Sequence, residues 1–328
     1  MADIKHDNEP KLWWRPPGHN DVYTLVPDVH GTSTFFFAPF DATNGASEMT
    51  WKGHAVKAEA PAPGTLPHVA TSDIHETTRE AHENNVREAI DAIKHGTLDK
   101  VVLSRTHVLE HAEAPETAFQ RLCDLHPRAL VYLMHHPVEG TWCGASPELL
   151  LRAQQHDMDT VSLAGTRRDG SQVAWTQKEC QEQQLVTDHI LDVLRDLGAS
   201  EIVLNGPHDK QYGALTHLET RISAHYDGDL HGMAKALHPT PAVCGRPVAQ
   251  AAQFIRAKER HDRMYYAGFL GWSSPLGCAY YVNLRCAHWA SNGVVLFAGG
   301  GIVEGSVPAD EWLETEAKLQ SFSPAFLR

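Results

Sequence analysis

A glutamate near the start of a predicted helix is the first candidate for chemistry in this sequence. Glu182 lies one turn before Val186, which begins an apolar stripe with Ile190, Leu194 and Leu197 along residues 178–197. A carboxylate on the stripe side points inward, and a buried carboxylate needs a cationic partner or a metal ion. The spacing leaves two interpretations open: an inward-facing ligand, or a glutamate of a frayed first turn that faces water.

The last predicted helix carries three charged side chains on one face. Glu311, Glu314 and Lys318 lie at i, i+3 and i+7. Glu314 and Lys318 form an i,i+4 pair of the kind that stabilises exposed helices, so a solvated face is the simplest interpretation. The glycine run 299–301 precedes this helix, and it permits either a tight turn or a close approach of the backbone to a ligand.

Two further residues are candidates for an acid and a base. Lys100 opens a run rich in β-branched residues, and Glu148 follows Pro147, which restricts the chain and aims the next side chain. The simpler alternatives are a surface lysine at a strand edge and a loop carboxylate.

The charge balance excludes several classes of function. The formal net charge is −13 and no cluster of Lys and Arg is present, so a nucleic-acid partner is not expected. An acidic protein that binds an acidic small molecule needs a local positive centre. No apolar run approaches the roughly 20 residues that span a bilayer. The N-terminal sequence also lacks a secretory signal, so we expect a cytoplasmic protein with no membrane association.

The six cysteines show no C-x-x-C spacing. A zinc ribbon or a redox motif is therefore not indicated, and we expect reduced, mostly buried thiols.

Apolar periodicity predicts the elements that position these groups. Helices are predicted over 77–94, over 178–197, and from Ser306, as the capping residue, to about 322. Strands are predicted at 33–40, 100–109, 129–134, 160–163, 201–204, 280–285 and 294–298, with a turn at 291–293 joining the last two. Strands and helices mix without strict alternation, which indicates an α/β or α+β fold with large sheets. Residues 56–68, rich in Ala and Pro, are the best linker candidate.

Eight blocks in a fixed order resemble the chorismate-utilising enzymes. They are KVVLSR (100–105), GASPELL (144–150), LAGT (163–166), HLET (217–220), LHPTPAVCG (237–245), VNLR (282–285), AGGGIV (298–303) and S-x-P-x-x-E-W-x-E-T-x-x-K (306–318). The family includes isochorismate and salicylate synthases and the large subunits of anthranilate and aminodeoxychorismate synthases. The resemblance covers roughly residues 80–322. It implies one chorismate-binding domain over 1–328, with a divergent N-terminal part (1–75) and a motif-bearing catalytic part (76–328). In this fold two large β-sheets pack together with helices outside.

The resemblance also implies a Mg²⁺ site and a dicarboxylate substrate, chorismate. Glu182 and Glu314 match the two magnesium glutamates of the family, and Glu179 and Glu311 could support the metal from outside. The positions that match substrate-binding residues are Ala164, Gly165, Thr166, His217, Thr240, Arg285, Gly299 and Lys318.

Two positions indicate which reaction of the family to expect. Ala164 stands where aminodeoxychorismate synthases carry a nucleophilic lysine. Lys100 stands where isochorismate and salicylate synthases, which use water, carry a lysine that anthranilate synthases typically lack. We therefore predict an isochorismate synthase. Lys100 would be the general base for water addition at C2 of chorismate, and Glu148, with a raised pKa, the general acid at the departing C4 hydroxyl. No glutamine amidotransferase partner is expected, and a monomer is compatible with this branch.

Two alternatives stay open: a salicylate synthase, which adds pyruvate elimination, and a non-catalytic paralogue that only binds chorismate or a partner. The chain departs from the family pattern at several places. Where the family usually has Glu-His, this chain has Glu182-Gln183, and where it has Ala-Gly-Ala-Gly, residues 298–301 are Ala-Gly-Gly-Gly. The stretch 166–178 is shorter than in the family, and Arg263-Met264-Tyr265 stands where Arg-Gly is more usual. The sequence does not distinguish menaquinone, siderophore or salicylate pathways.

Overall fold

A computed structural model describes residues 9–41, 43, 45–67, 72–168, 174–212 and 215–328. Within these ranges, sixteen strands join in one antiparallel ladder and six α-helices lie against it. The strands are β1 (Lys11–Arg15), β2 (Val22–Pro27), β3 (Ser33–Ala38), β4 (Met49–Ala58), β5 (Lys100–Leu109), β6 (Leu130–His136), β7 (Gly140–Ser146), β8 (Leu149–Gln154), β9 (Asp157–Arg168), β10 (Ser200–Tyr212), β11 (Leu215–His225), β12 (Gly245–Arg246), β13 (Phe269–Ser274), β14 (Gly277–Val282), β15 (Cys286–Ala290) and β16 (Gly293–Ile302). The helices are α1 (Arg79–Lys94), α2 (Pro115–Leu125), α3 (Gln177–Asp196), α4 (Leu230–Leu237), α5 (Val248–Lys258) and α6 (Pro308–Gln320).

The ladder runs in the order β10-β11-β9-β8-β14-β13-β3-β4-β2-β1-β6-β7-β15-β16-β5-β12. It folds back on itself, because helix α3 packs on β9 and β11 near one end and its Glu182 reaches Gly301 of β16 near the other. The predicted pair of packed sheets is thus observed as two layers of one continuous ladder.

The predicted apolar stripe of helix α3 is confirmed except at its last residue, Leu197, which follows the helix and is 41% exposed. Val186, Ile190 and Leu194 are buried, and the helix starts with a capping box between Thr176 and Glu179. The stripe therefore orients the helix, and the face that carries Glu182 turns toward the interior of the protein.

Helix α1 also matches its prediction. Its side chains Val86, Ala89 and Ile90 are buried, Thr78 caps its first turn, and Gly96 follows its end with φ +73°.

The segment 280–298 was predicted with one strand too few. The strand expected over 280–285 ends at Val282, and Arg285 has a left-handed φ of +49°. Strand β15 follows, so the turn at 291–293 joins β15 to β16 instead. The polar and small residues between the two apolar runs hid this extra strand.

One of the two alternatives for the glycine run, a tight turn, is excluded, because Gly299, Gly300 and Gly301 lie within β16 and pair with β5. One other local prediction was wrong. Ser306 is not the cap of α6, because its hydroxyl accepts a hydrogen bond from Val303 N (3.1 Å) and Val307 occupies the cap position without a side-chain bond.

All six cysteines are free thiols and four of them are buried, as predicted. None of the helices in the described ranges combines the length and the apolar character that a membrane crossing requires.

Candidate active site

A cavity of about 120 Å³ lies between the two layers, where α3 and α6 approach the strands. Its volume is of the same order as the roughly 150 Å³ cavity that admits a benzene ring. Nine of the twelve predicted site residues line it: Glu148, Ala164, Gly165, Glu182, His217, Arg285, Gly299, Glu314 and Lys318. The sequence blocks that were far apart along the chain therefore meet at one place.

Lys100 stands directly behind the wall of the cavity. Its side chain is 1% exposed, and its Nζ lies 2.8 Å from Oε1 of Glu182, whose side chain is 13% exposed. Strand β5 supplies the lysine and helix α3 supplies the glutamate. The surface-lysine interpretation is therefore wrong, and so is the interpretation of Glu182 as a solvated glutamate of a frayed turn.

Helix α6 presents a second lysine–glutamate pair to the cavity. Lys318 Nζ is 2.8 Å from Glu314 Oε1 and donates a hydrogen bond to the carbonyl oxygen of Gly299 at 2.8 Å. Burial alone would lower the pKa of Lys318, but the carboxylates of Glu314, Glu182 and Glu311 outweigh it and raise that pKa. Lys318 therefore remains a cation that faces the cavity, and the fully solvated face expected for this helix is not observed.

The glycines of β16 leave room for the carboxylates. A Cβ atom on Gly301 would lie 2.4 Å from Glu182 Oε1, and one on Gly300 would lie 3.5 Å from Glu311 Oε2 and 3.7 Å from Glu314 Oε1. The Glu182 carboxylate thus occupies the space that a side chain at position 301 would fill, whereas the distances at position 300 are ordinary contacts. This is the close approach that the glycine run permits.

These carboxylates are a suitable donor set for magnesium, which prefers hard oxygen ligands. Within the described residues, no three metal-binding side chains converge on a single point. Mg²⁺ commonly takes one or two protein carboxylates and completes its shell with water and substrate. Glu179 does not join this group, because its carboxylate accepts the backbone N–H of Thr176 (2.9 Å) at the start of α3.

Glu148 lies between β7 and β8 and is 8% exposed. Burial raises its pKa to about 7, although the cations Lys318 and Lys100 act in the opposite direction. A carboxyl group with this pKa is partly protonated at neutral pH, as a general acid requires. The prediction of a raised pKa for this residue is confirmed.

His217 is a neutral hydrogen-bonding group. Burial, followed by the nearby charge of Lys318, lowers its pKa to about 4. Its Nδ1 lies 2.8 Å from the carbonyl oxygen of Gly165, and a carbonyl only accepts, so Nδ1 carries the proton. Gly165 itself has φ +68°, a conformation that favours glycine.

Thr240 does not line the cavity. The side chain of Thr166 lies outside the described part of the structure. Thr240 is 5% exposed, and its Oγ1 has no hydrogen-bond partner within the described residues. Its neighbours Ala242 and Val243 line the cavity instead.

An apolar wall that the sequence analysis missed completes the cavity. Tyr266 stacks on Phe297 with ring centroids 5.3 Å apart, and both line the space together with Leu284 and Phe322. These residues come from separate elements, and no spacing in the sequence relates them.

The fold and the site together define a chorismate-binding enzyme. Residues 32–327 match the model of the chorismate binding enzyme family, so the chain belongs to that family, as predicted.

The chain is 34% identical over 246 residues to isochorismate synthase EntC of Escherichia coli strain K12, which covers 70% of this chain and 62% of that protein. It is 30% identical over 277 residues to isochorismate synthase DhbC of Bacillus subtilis strain 168, which covers 74% of this chain and 66% of that protein. The chain thus spans less than two thirds of these curated relatives.

The solved structure of MenF, the menaquinone-specific isochorismate synthase from Escherichia coli, superposes with a TM-score of 0.80 at 21% identity, covering 98% of this chain and 89% of the other. This likeness confirms the predicted fold.

Proposed function

We propose that the protein is an isochorismate synthase that converts chorismate to isochorismate. One observation carries the proposal: a candidate acid and a candidate base meet at the same cavity. Glu148, with a pKa of about 7, lines the cavity, and the Lys100–Glu182 pair is buried in its wall. An acid and a base at one small cavity are what addition of water and departure of a hydroxyl require. The named isochorismate synthases among the relatives support the same reaction.

In the proposed reaction Lys100 acts as a neutral amine, after it has lost the proton that it carries in the ion pair with Glu182. It removes a proton from a water molecule, and the water oxygen forms a bond to C2 of chorismate. Both ring double bonds shift by one position, as a 1,5-substitution requires, and the bond from C4 to its hydroxyl breaks. Glu148 donates its proton to that hydroxyl, which leaves as water. One water enters and one leaves, so the product is an isomer of the substrate.

The cationic side chains near the cavity would orient the substrate. Lys318 and Arg285 line the space and can bind the substrate carboxylates through charge-assisted hydrogen bonds. We propose Glu182 and Glu314 as the ligands of a magnesium ion, and bound Mg²⁺ would neutralise and fix a carboxylate of the substrate. His217, with Nδ1 held by the carbonyl oxygen of Gly165, would face the substrate as a neutral side chain. We propose a binding role for Ala164 and Gly165 too, as small residues that leave room for the ring.

Product analysis tests this proposal. The purified protein is incubated with chorismate and Mg²⁺, with and without EDTA, and the products are separated by chromatography. Isochorismate that forms only with metal is the expected result. Salicylate and pyruvate would instead indicate a salicylate synthase, and binding of chorismate without turnover would indicate a non-catalytic paralogue.

A further inference from the structure

Four buried polar side chains form a closed hydrogen-bonded cluster behind the cavity. Ser162, Gln183, Thr187 and Thr220, here called the amide–hydroxyl cluster, are each at most 3% exposed. Gln183 Nε2 lies 2.7 Å from Thr220 Oγ1 and 3.0 Å from Thr187 Oγ1, and Thr187 Oγ1 donates to Ser162 Oγ at 2.8 Å. The Ser162 hydroxyl donates in turn to the backbone oxygen of Gln183 at 3.2 Å.

The cluster joins three elements that each supply a residue to the cavity. Ser162 on β9 lies two residues before Ala164, and its direct cross-strand partner Thr220 on β11 lies three residues after His217. Gln183 on α3 follows Glu182 directly. The cluster is thus the junction at which the helix is fixed to the two strands.

This junction determines where Glu182 lies. Adjacent residues of a helix point about 100° apart. Gln183 therefore faces the strands while Glu182 faces Lys100. An apolar contact tolerates small slides and rotations of a helix, whereas a buried polar group that loses its hydrogen-bond partners is destabilised. The bonds of Gln183 therefore select one rotation of α3 and with it one position of the Glu182 carboxylate.

We propose that Gln183 is a positioning residue for the cation site: through the amide–hydroxyl cluster it holds Glu182 at the cavity and so sets the affinity of the site for a divalent cation. The inference rests on the proposed role of Glu182 as a metal ligand. Replacing a residue that orients a metal ligand, without itself binding the metal, typically changes metal affinity by about 10–100-fold.

The neighbouring residue Gln184 offers a matched control. It lies on the exposed side of the same helix, where its Nε2 donates to Asp188 at 2.7 Å. Gln183→Leu removes the buried donor, and Gln184→Leu removes the same chemical group one position further on. Gln183→His retains a ring N–H donor at the buried position.

The readout is Mn²⁺ binding to the whole protein, with the free ion measured by electron paramagnetic resonance in the presence and absence of chorismate. Gln183→Leu should raise the Kd for Mn²⁺ by about 10–100-fold. Gln184→Leu should leave the Kd unchanged, and Gln183→His should restore it in part. Thr220→Val removes the acceptor without changing the side-chain shape, so it should raise the Kd too. Because the two groups share one hydrogen bond, the double variant should show less than the sum of the two effects on binding free energy.

Three results would overturn the inference. The first is a Kd for Mn²⁺ within twofold of the wild-type value in both Gln183→Leu and Thr220→Val. The others are a rise in Kd for Gln184→Leu as large as that for Gln183→Leu, and a wild-type protein that binds no Mn²⁺. Thr220→Val decides the question if Gln183→Leu does not fold. Measurement of chorismate turnover distinguishes a failure of the positioning role of Gln183 from a failure of the proposed function. A wild type that forms isochorismate while the variants bind Mn²⁺ normally refutes only the positioning role, and Gln183-dependent binding without isochorismate refutes only the function.

Discussion

Lys100 and Glu182 form the most enclosed ion pair of the candidate site. Nζ of the lysine lies 2.8 Å from a carboxylate oxygen, and the lysine side chain is 1% exposed. Removing one partner of a buried pair leaves the other charge uncompensated, which costs about 3–5 kcal/mol. The pair therefore combines a structural contribution with the proposed chemistry, and an experiment has to measure both.

Replacing Lys100 with alanine should abolish water addition while the chain still folds. General bases contribute about 10²–10⁴-fold to a rate, so we expect kcat to fall at least about 100-fold. Turnover is measured at saturating Mg²⁺, and circular dichroism verifies folding. Lys57→Ala, at an exposed lysine paired with Asp21, is the control for loss of a positive charge. Activity of a folded Lys100→Ala protein within tenfold of the wild type would refute the base assignment.

Glu148 makes a different contribution, because its burial costs stability. Its pKa in the folded protein, about 7, lies above the ordinary value of 4.5, so the folded state binds the proton more tightly. The contribution of Glu148 to the free energy of unfolding is therefore largest below pH 4.5, and it falls by on the order of 3 kcal/mol as the pH rises through 7.

Glu148→Gln removes this ionisation, so the variant should be the more stable protein at pH 8 and gain little at pH 4.5. The difference in Tm at pH 8 should be a few degrees for a chain of this size. Thermal melts of both proteins across this pH range measure it. Glu139→Gln, at a half-buried glutamate outside the cavity, is the comparison. A difference in Tm that does not grow with pH would contradict the assignment.

At the scale of elements, strand β16 has to be free of side chains where the carboxylates meet it. A Cβ on Gly301 would lie 2.4 Å from Glu182 Oε1 and 3.0 Å from Lys100 Cε, and both side chains are enclosed. Gly301→Ala should therefore displace the pair and lower kcat/KM by about 100-fold, the order of effect of a misplacement of about 1 Å.

Gly305 provides the control for this substitution, because a Cβ there would have no neighbour within 4 Å. Gly305→Ala should keep wild-type kcat/KM. Steady-state kinetics of the two variants at several Mg²⁺ concentrations distinguishes displacement of the carboxylate from a general loss of folding. Equal activity of both variants would mean that the glycine at 301 is not needed for close approach.

The same elements show how far sequence alone leads. Helix α3 was predicted within a residue at each end, because Val186, Ile190 and Leu194 repeat at the helical period and pack on the strands. Strand β5 was predicted with its exact bounds from its β-branched residues. Strand β15 was missed, since its sequence CAHWA carries no alternating pattern strong enough to separate it from the preceding run.

The residues of the candidate site were predicted from the eight sequence blocks that resemble the family, and not from local spacing. Spacing alone favoured a solvated face for Glu314 and Lys318, and only tertiary packing decides that the cavity lies beside them. The apolar wall of Tyr266, Phe297 and Phe322 left no signal at all. Contacts between distant elements carry no local periodicity, so no pattern in the sequence could reveal them.

For the whole molecule, the position of the N-terminal strands matters most. Strands β1 to β4 lie in the middle of the ladder, between β13 and β6. β3 pairs with β13 through Phe37 and Leu270, and β1 pairs with β6 through Trp14 and Tyr132. This placement supports the proposal that residues 1–75 form part of one domain with the motif-bearing part.

The layered ladder also predicts how ligands affect stability. The cavity draws residues from β9, β11, β16, α3 and α6, so a ligand there should stabilise the chain as one cooperative unit. A ligand at 100 times its Kd adds about 2.7 kcal/mol, which corresponds to a rise in Tm of a few degrees for a chain of this length. We expect Mg²⁺ and chorismate together to produce this rise in a single transition, followed by calorimetry. In Glu182→Gln the rise should be much smaller, since the proposed ligand is lost. An equal rise in both proteins would place metal binding elsewhere, and two separate transitions would contradict the single cooperative unit.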